Sequence, residues 1–219
     1  DSYSNDKTVE IAQSNGARVI QNKFEGHIEQ KNFALENARH DYILSLDADE
    51  ALSPELFHSI KEIKKNWQAD AYSMNRMTSY CGKWIKHGTW YPDKKTRLFK
   101  RSAGKWKGTN PHDRFTPLKN KTSKHLKGDI LHYTMDSISD HLKQMDYFTE
   151  IMARDLHLGG KKAGYLKLLI SPIVKFVKGY IFKMGFLDGY YGFIIAMNSA
   201  HAAFLKYAKL MDFNRRGLD

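Results

Sequence analysis

Helical and strand patterns alternate over the first third of the chain. The predicted elements are a helix from Thr8 to Asn15, a strand over Ala17–Ile20, a helix over His27–Arg39, a strand over Tyr42–Leu46 and a helix from Ser53 to about Trp67. The strand at Tyr42–Leu46 is a continuous apolar run, which is typical of a strand buried on both faces. This short alternation of strands and helices predicts an α/β domain with a parallel sheet.

The pattern changes after Ala71. Ala71–Asn75 and Thr96–Lys100 predict strands, separated by loops rich in aromatic residues and glycine. Helical patterning returns near residue 137 and continues almost to the end of the chain. It predicts helices over Ser137–Leu158, Tyr165–Met184 and Leu187–Met211.

The segment Leu166–Lys183 combines apolar bulk with lysine and contains no acidic residue. A membrane-spanning helix needs about 20 mainly apolar residues, and Lys175 and Lys178 interrupt this one. A basic amphipathic stretch of this kind favours a helix that lies in the membrane interface. The alternative is a helix pair that packs on the rest of the protein and exposes its lysines.

The composition adds a constraint on partners. The chain has 219 residues, with 35 Lys+Arg against 24 Asp+Glu and a formal net charge of +11. This surplus indicates an anionic partner, which by charge alone is nucleic acid, anionic lipid or a phosphorylated substrate. The single cysteine, Cys81, excludes a disulfide framework and a cysteine-based zinc site. The hydrophobic content of 42% excludes a disordered chain.

The clearest chemical signal is Asp47-Ala48-Asp49-Glu50, directly after the apolar strand. Carboxylates at the C-terminal end of such a strand lie where open α/β sheets bind ligands. Asp47 and Asp49 are spaced so that both can face a divalent cation, which prefers oxygen ligands. Such a cation would offset the negative charge on a leaving diphosphate. A solvated acidic loop is the alternative interpretation.

Asp47-Ala48-Asp49-Glu50 resembles the metal-binding Asp-x-Asp of family 2 glycosyltransferases. Asp1–Thr8 resembles the Asp-x-x-Ser-x-Asp-x-Thr segment that follows the second strand of that family. Gly26–Ala34 resembles the family segment whose basic residue lies beside the nucleotide. The resemblance extends over nearly the whole chain.

Later segments are similar to a narrower group, the bacterial enzymes that add a hexose to the lipopolysaccharide inner core. These segments are Trp90-Tyr91-Pro92-Asp93, Arg97–Arg101, Pro111-His112-Asp113, Leu131–Thr134 and Gly185–Gly189. The resemblance implies the GT-A fold, a three-layer α/β sandwich of nucleotide-diphospho-sugar transferases. It also implies inverting transfer of a hexose from a nucleotide sugar, with UDP-glucose as the expected donor and Mg or Mn as the metal.

The resemblance also assigns roles to residues of the first two thirds of the chain. Asp1 would recognise the base, Lys31 would help to hold the nucleotide, and Asp47 and Asp49 would take the ribose and the metal. Asp113 would be the general base that deprotonates the acceptor hydroxyl. The remaining candidates are His132 for a metal or diphosphate contact, and Arg97, Arg101 and His112 for acceptor or phosphate contacts.

Each role has a simpler alternative. Asp1 can cap the following turn, Lys31 can be a solvated helical lysine, Asp113 can serve a local turn, and His132 can be a core histidine. Arg97 and Arg101 can be strand residues that face water. Because family members begin with a strand, a helix and a second strand before the segment at Asp1, the chain is expected to lack that unit.

These expectations combine into one prediction for the molecule. Residues 1–135 form a GT-A catalytic domain, incomplete at its N terminus, and residues 136–219 form amphipathic helices that associate with a membrane. The acceptor is a lipid-linked saccharide at an anionic surface, the cytoplasmic face of the bacterial inner membrane.

Three other functions stay open at this point. They are a non-catalytic membrane-surface module, another metal-dependent nucleotide-using transferase, and nucleic-acid binding. The last is disfavoured because the lysines alternate with aliphatic residues and no nucleic-acid motif is present.

Overall fold

The computed structural model describes residues 1–109 and 112–217, and for Thr109 and His112 it describes the backbone alone. Within these residues the chain forms six α-helices and eight strands. The helices are α1 Thr8–Ser14, α2 His27–Glu36, α3 Pro54–Lys65, α4 Ile138–Leu158, α5 Tyr165–Val177 and α6 Gly189–Arg216. The strands are β1 Tyr42–Leu44, β2 Glu50–Leu52, β3 Ala71–Tyr80, β4 Lys83–Trp84, β5 Asp93–Lys100, β6 Gly104–Thr109, β7 His112–Pro117 and β8 Ser123–Met135.

Six of the strands form one sheet in the order β1-β5-β3-β8-β2, with β4 paired to β3, and β6 pairs with β7 separately. The combination of sheet and helices confirms the predicted α/β class. The expectation of parallel strands is wrong for four of the pairs. The pairs β1–β5, β2–β8, β3–β4 and β6–β7 all run antiparallel.

The predicted strand at Ala17–Ile20 is also wrong, because no strand is formed over these residues. Two backbone hydrogen bonds join Asp1 to this region. The amino group of Asp1 donates to the carbonyl of Ile20 at 2.9 Å, and the amide of Asn22 donates to the carbonyl of Asp1 at 2.9 Å. Two backbone hydrogen bonds to a single residue do not make a ladder, although the local pattern of side chains is strand-like.

The described chain divides into two compact units. Unit 1 consists of Asp1–Leu46, His58–Met74 and Lys95–Lys127. Its core contains Leu35 of α2, Phe99 of β5, Trp106 of β6 and Phe115 of β7. The rings of Phe99 and Phe115 stack with their centroids 3.6 Å apart. Helix α2 therefore packs its apolar face on the hairpin of β6 and β7, which positions Lys31 and Asn32 beside that hairpin.

Unit 2 consists of Asp47–Phe57, Asn75–Lys94 and Gly128–Asp219. One cluster of its core contains Tyr80, Ile85, Met135 and Ile195. The three predicted C-terminal helices are present as α4, α5 and α6, and α6 packs against both of the others. A π-helical turn over Lys178–Phe182 follows α5, and a 3-10 turn over Gly185–Asp188 precedes α6. None of the described helices combines the length and the apolar character needed to cross a membrane.

Candidate active site

A tight turn from Asp47 to Glu50 shapes the acidic motif in unit 2. The backbone amide of Asp47 donates to Oε2 of Glu50 at 3.0 Å, and the amide of Glu50 donates to the carbonyl of Asp47 at 3.0 Å. The Glu50 side chain is completely buried, whereas 44% of the Asp49 side chain is exposed. The buried carboxylate thus fixes the turn, and the exposed one is presented to solvent.

Strand β8 pairs with β2 and contacts Asp49 through both its backbone and a side chain. Glu50 pairs with His132 in the β2–β8 register, and the amide of Tyr133 donates to the carbonyl of Asp49 at 2.9 Å. This pairing places Nε2 of His132 at 3.1 Å from Oδ2 of Asp49. The structure therefore brings together two of the residues that the sequence predicted. The contact that it shows for His132 is with Asp49 itself, and a direct contact of His132 with a metal stays a prediction.

The protonation of His132 follows from its surroundings. Burial lowers the pKa of the imidazole below its ordinary value of 6.5, and the Arg76 guanidinium lowers it further, while Asp49 and Glu50 act in the opposite direction. A neutral ring carries one N–H. The tautomer that serves both neighbours donates from Nε2 to Asp49 and accepts at Nδ1 from the Thr78 hydroxyl, 3.4 Å away.

Arg76 belongs to the same group of side chains and was not predicted from the sequence. Its guanidinium lies 2.9 Å from Oδ2 of Asp93 and 3.6 Å from Oε1 of Glu50. Asp93 ends the Trp90-Tyr91-Pro92-Asp93 segment that the family resemblance singled out. That segment was therefore the sequence signal that pointed to this contact. Arg76, its partner on β3, belongs to none of the motifs that the family resemblance singled out. The arginine neutralises a buried carboxylate, which would otherwise be costly to desolvate.

The acidic turn has the donor chemistry of a magnesium or manganese site. Among the described residues, no three His, Cys, Asp or Glu side chains gather closely enough to hold a metal ion by themselves. Mg²⁺ is commonly held by one or two carboxylates together with water and substrate phosphates. Asp47 and Asp49 supply such carboxylates, and the exposure of Asp49 leaves room for further ligands. The residues present therefore fit a metal that is bound together with a diphosphate.

In unit 1, the predicted general base Asp113 meets the predicted nucleotide residue Lys31. The Lys31 ammonium lies 2.9 Å from Oδ2 of Asp113, and the two side chains are 18% and 12% exposed. The same ammonium lies 4.6 Å from the centroid of the Trp106 ring. An ion pair with an adjacent aromatic face holds both side chains in defined positions. Asp113 is thus fixed by a cation and is not a residue of an isolated turn.

Asn32 explains why Lys31 reaches Asp113. Its side-chain amide donates to the carbonyl of Trp106 at 3.0 Å, and its side-chain oxygen accepts from the amide of Trp106 at 3.0 Å. These two bonds fasten α2 to β6, and β7 pairs with β6 so that Asp113 faces Gly108. The neighbouring Lys31 is carried to the same edge of the hairpin. Asn32 lies within the Gly26–Ala34 segment that the family resemblance singled out, but no role was predicted for it from the sequence.

The other predicted site residues have separate contacts within unit 1. Oδ2 of Asp1 accepts from the Ser4 amide at 3.0 Å, so Asp1 does cap its own turn. Arg97 is 4% exposed and stacks on Trp106, with Cζ at 5.4 Å from the ring centroid. Arg101 donates to the carbonyl of Ala38 at 2.7 Å. The side chain of His112 lies outside the described part of the chain, and the roles of these four residues stay predictions.

The family model described as Glycosyl transferase family 2 matches residues 1–132. An uncharacterized glycosyltransferase of Rickettsia prowazekii, RP128, is 32% identical over 98% of this chain and 77% of its own length. The lipopolysaccharide core biosynthesis glycosyltransferase LpsC of Rhizobium meliloti is 25% identical over 96% of this chain and 80% of its own length.

Among solved structures, the crystal structure of S. aureus TarS 1–349 in complex with UDP is 13% identical. It superposes with a TM-score of 0.42 over all of this chain and 81% of that chain.

Proposed function

This chain belongs to glycosyl transferase family 2 and is a glycosyltransferase with the GT-A fold, and we propose that it moves a hexose from UDP-glucose to a saccharide of the lipopolysaccharide core. The observation that carries the proposal is the acidic turn. Asp49 is exposed, is held by His132, and lies within the part of the chain that the family model covers. The name of the relative LpsC supports a lipopolysaccharide core acceptor. The resemblance of the sequence motifs supports UDP-glucose.

The acidic turn is proposed to bind the diphosphate end of the donor. Asp47 and Asp49 would hold Mg or Mn, and this metal would supply positive charge beside the diphosphate when it is bound. Glu50 keeps the turn closed through the Asp47 amide, and the neutral His132 orients Asp49 by donating to its carboxylate. Loss of a neighbour that orients a metal ligand in this way typically lowers metal affinity or activity about 10- to 100-fold.

Asp113 is proposed as the general base of an inverting reaction. Its carboxylate takes the proton of the acceptor hydroxyl while that oxygen forms a bond to the anomeric carbon. The bond between this carbon and the diphosphate oxygen breaks in the same step, and UDP leaves with the electron pair. Lys31 holds Asp113 in place through the 2.9 Å ion pair. A carboxylate fixed in this way needs no rearrangement to accept a proton.

The place of action is proposed to be the cytoplasmic face of the inner membrane, with the protein bound peripherally to an anionic surface. The supporting observation is the exposure of large apolar side chains on α5, where Leu166 is 75%, Leu169 62% and Ile173 64% exposed. These positions recur at three- and four-residue spacing and lie on one face of the helix. Lysines of the same segment provide attraction to anionic lipid.

The test is release of UDP by the full-length protein in detergent or liposomes, with UDP-glucose as donor and lipopolysaccharide core as acceptor. Wild type, Asp49→Asn and Asp113→Asn are compared with and without Mg or Mn. Asp155→Asn, on the exposed side of α4, is the matched control for loss of one carboxylate. We expect metal-dependent turnover that falls about a hundredfold or more in Asp113→Asn, as for removal of a general base, and is lost in Asp49→Asn.

The outcomes separate the competing functions. Loss of turnover in Asp49→Asn alone would support the role of the acidic turn and contradict Asp113 as the general base. This result is expected of another metal-dependent nucleotide-using transferase. No turnover with UDP-glucose or related nucleotide sugars, in a protein that still binds anionic liposomes, favours the non-catalytic membrane module. Loss of turnover in the control Asp155→Asn would show that the carboxylate substitutions lower turnover by disturbing the fold.

A further inference from the structure

Unit 2 contains an open recess, and none of the residues of the acidic turn lines it. It is an open cavity of about 640 Å³ formed by α4, α5, α6 and the loop that contains Thr89 and Trp90. Cavities of several hundred cubic ångströms are the size of ligand sites. None of the residues assigned above to donor, metal or acceptor chemistry lines it.

Three lysines line this cavity, which are Lys175 of α5, Lys178 of the π-helical turn and Lys206 of α6. Among the residues that the structure describes, no acidic side chain lines it. From residue 156 to residue 211 the sequence contains one acidic residue, Asp188. Asp188 is 4% exposed, and its carboxylate accepts from the backbone amides of Lys86 and His87. Among the described residues, the ion pairs formed on α4 and α6 do not include Lys175, Lys178 or Lys206, and an anion can take the place of a carboxylate beside these lysines.

The rest of the wall is apolar or aromatic. Trp90, Ile170, Val174 and Tyr207 line the cavity together with small residues of α6. Ile170 and Val174 are 46% and 55% exposed. The Tyr207 ring lies 4.4 Å from the Lys206 ammonium, so the aromatic face and a cation occupy the same side of the cavity. A wall with both lysines and bulky apolar groups suits a ligand that is anionic at one end and apolar at the other.

We propose that this cavity binds the phosphate headgroup of an anionic phospholipid. Lys175, Lys178 and Lys206 contact the phosphate, and Ile170 and Val174 contact the first part of the acyl chain. A bound lipid then continues onto the exposed apolar face of α5. This inference deepens the proposed function, because it gives peripheral membrane binding a defined lipid site in addition to general attraction between charges.

The first experiment measures binding to vesicles by sedimentation. Vesicles of phosphatidylcholine alone are compared with vesicles that also contain phosphatidic acid, and inorganic phosphate is titrated separately. The site variant is Lys175→Gln/Lys178→Gln/Lys206→Gln. Its matched control is Lys143→Gln/Lys161→Gln/Lys162→Gln, which removes the same charge from exposed positions of α4 and the following loop. A third variant, Ala203→Phe, fills the cavity without any change in charge, and circular dichroism checks its fold.

We expect the site variant to bind phosphatidic acid vesicles at least about tenfold more weakly than the matched control, as loss of three lysines at a lipid surface implies. Ala203→Phe should weaken binding as well. Equal losses in the site variant and the control would overturn the proposal in favour of general electrostatic attraction. Lysine-dependent binding of inorganic phosphate without an effect on vesicles would overturn the lipid as the ligand.

A second readout separates this inference from the proposed function. Transfer from UDP-glucose to a soluble, lipid-free core oligosaccharide should be the same in wild type and in the site variant. If the vesicle results hold while wild type shows no transfer, the lipid site stands and the proposed enzyme activity fails. If the site variant loses transfer to the soluble oligosaccharide, the cavity serves the saccharide and the lipid assignment fails.

Discussion

At the scale of single residues, the geometry of the acidic turn depends on side chains that do not themselves hold a ligand. Glu50 is wholly buried between the Asp47 amide and Arg76, and His132 lies against Asp49. Their contribution is to restrict where Asp49 points. A carboxylate on an open turn would otherwise sample many rotamers, and each lost rotamer costs free energy when a ligand binds.

The first prediction concerns His132 as a positioning residue. His132→Ala removes the donor to Asp49, and we expect kcat/KM to fall about 10- to 100-fold, as for other losses of a group behind a metal ligand. His132→Gln keeps a side-chain N–H and should recover most of the activity. If His132 only stabilised the fold, His132→Ala and His132→Gln variants of equal stability would have equal activity. The measurement is turnover against Mg or Mn concentration, where His132→Ala should require more metal, and identical metal curves would contradict the role.

The second prediction concerns His141, which is buried on α4. Its Nδ1 lies 3.0 Å from the Tyr80 hydroxyl and 3.0 Å from Nδ2 of Asn198. Burial lowers the pKa of this imidazole below its ordinary value of 6.5. The unfolded chain then binds more protons than the folded chain as the pH falls through that value, and so stability is lost toward acid.

The measurement is the free energy of unfolding in urea between about pH 8 and pH 5. We expect wild type to lose stability as the pH falls below about 6.5, with a smaller loss in His141→Gln. His40→Gln, at an exposed position, controls for removal of an imidazole. The same slope in wild type and His141→Gln would refute the assignment.

At the scale of elements, the packing of the C-terminal helices depends on glycine. A Cβ added to Gly192 of α6 would overlap the carbonyl oxygen of Gly185 in the preceding 3-10 turn. Because that obstacle is backbone, no side chain can move aside. We expect Gly192→Ala to destabilise the protein by about 1–3 kcal/mol, as overpacking usually does. Gly164→Ala, where the added Cβ meets nothing within 4 Å, should change stability far less. Chemical denaturation compares the two, and equal effects would contradict this account.

The elements also show how much of the fold can be predicted from the sequence. The three C-terminal helices follow helical periodicity over long segments, and α4–α6 lie close to the predicted ranges. β6 was missed although it alternates, since Lys105, Trp106 and Lys107 place one large apolar residue between two charges. Strand direction was misjudged because the alternation of helices and strands was taken to imply parallel pairing. Neighbours in a sheet are chosen by tertiary packing, which local patterns do not record.

The candidate site, like the fold, could be predicted only in part from the sequence. Asp47 and Asp49 are visible in the sequence because a motif at the end of an apolar strand is local. The contact of Lys31 with Asp113 joins residues 82 positions apart and depends on how α2 sits on the hairpin. Arg76 is an arginine without a motif, and its role follows only from its contact with Asp93.

At the scale of the whole molecule, two properties act together. The formal net charge of +11 attracts anionic surfaces over a distance that salt shortens. The exposed apolar side chains of α5 act on contact, and salt does not screen burial of apolar area. A surface with both properties should therefore bind anionic membranes in two parts that respond differently to ionic strength.

The last prediction separates these two parts. Leu169→Glu/Ile173→Glu places charges on the α5 face, where the side chains are 62% and 64% exposed in the wild type. Wild-type binding to anionic vesicles should weaken with added salt but persist in part, whereas binding of this variant should vanish once salt has screened the lysines. Ile11→Glu/Leu118→Glu, at positions 58% and 52% exposed, makes the same change in charge and should retain the salt-resistant part. Complete release of wild type by salt would mean that charge alone holds the protein, and α5 would then have no role at the membrane.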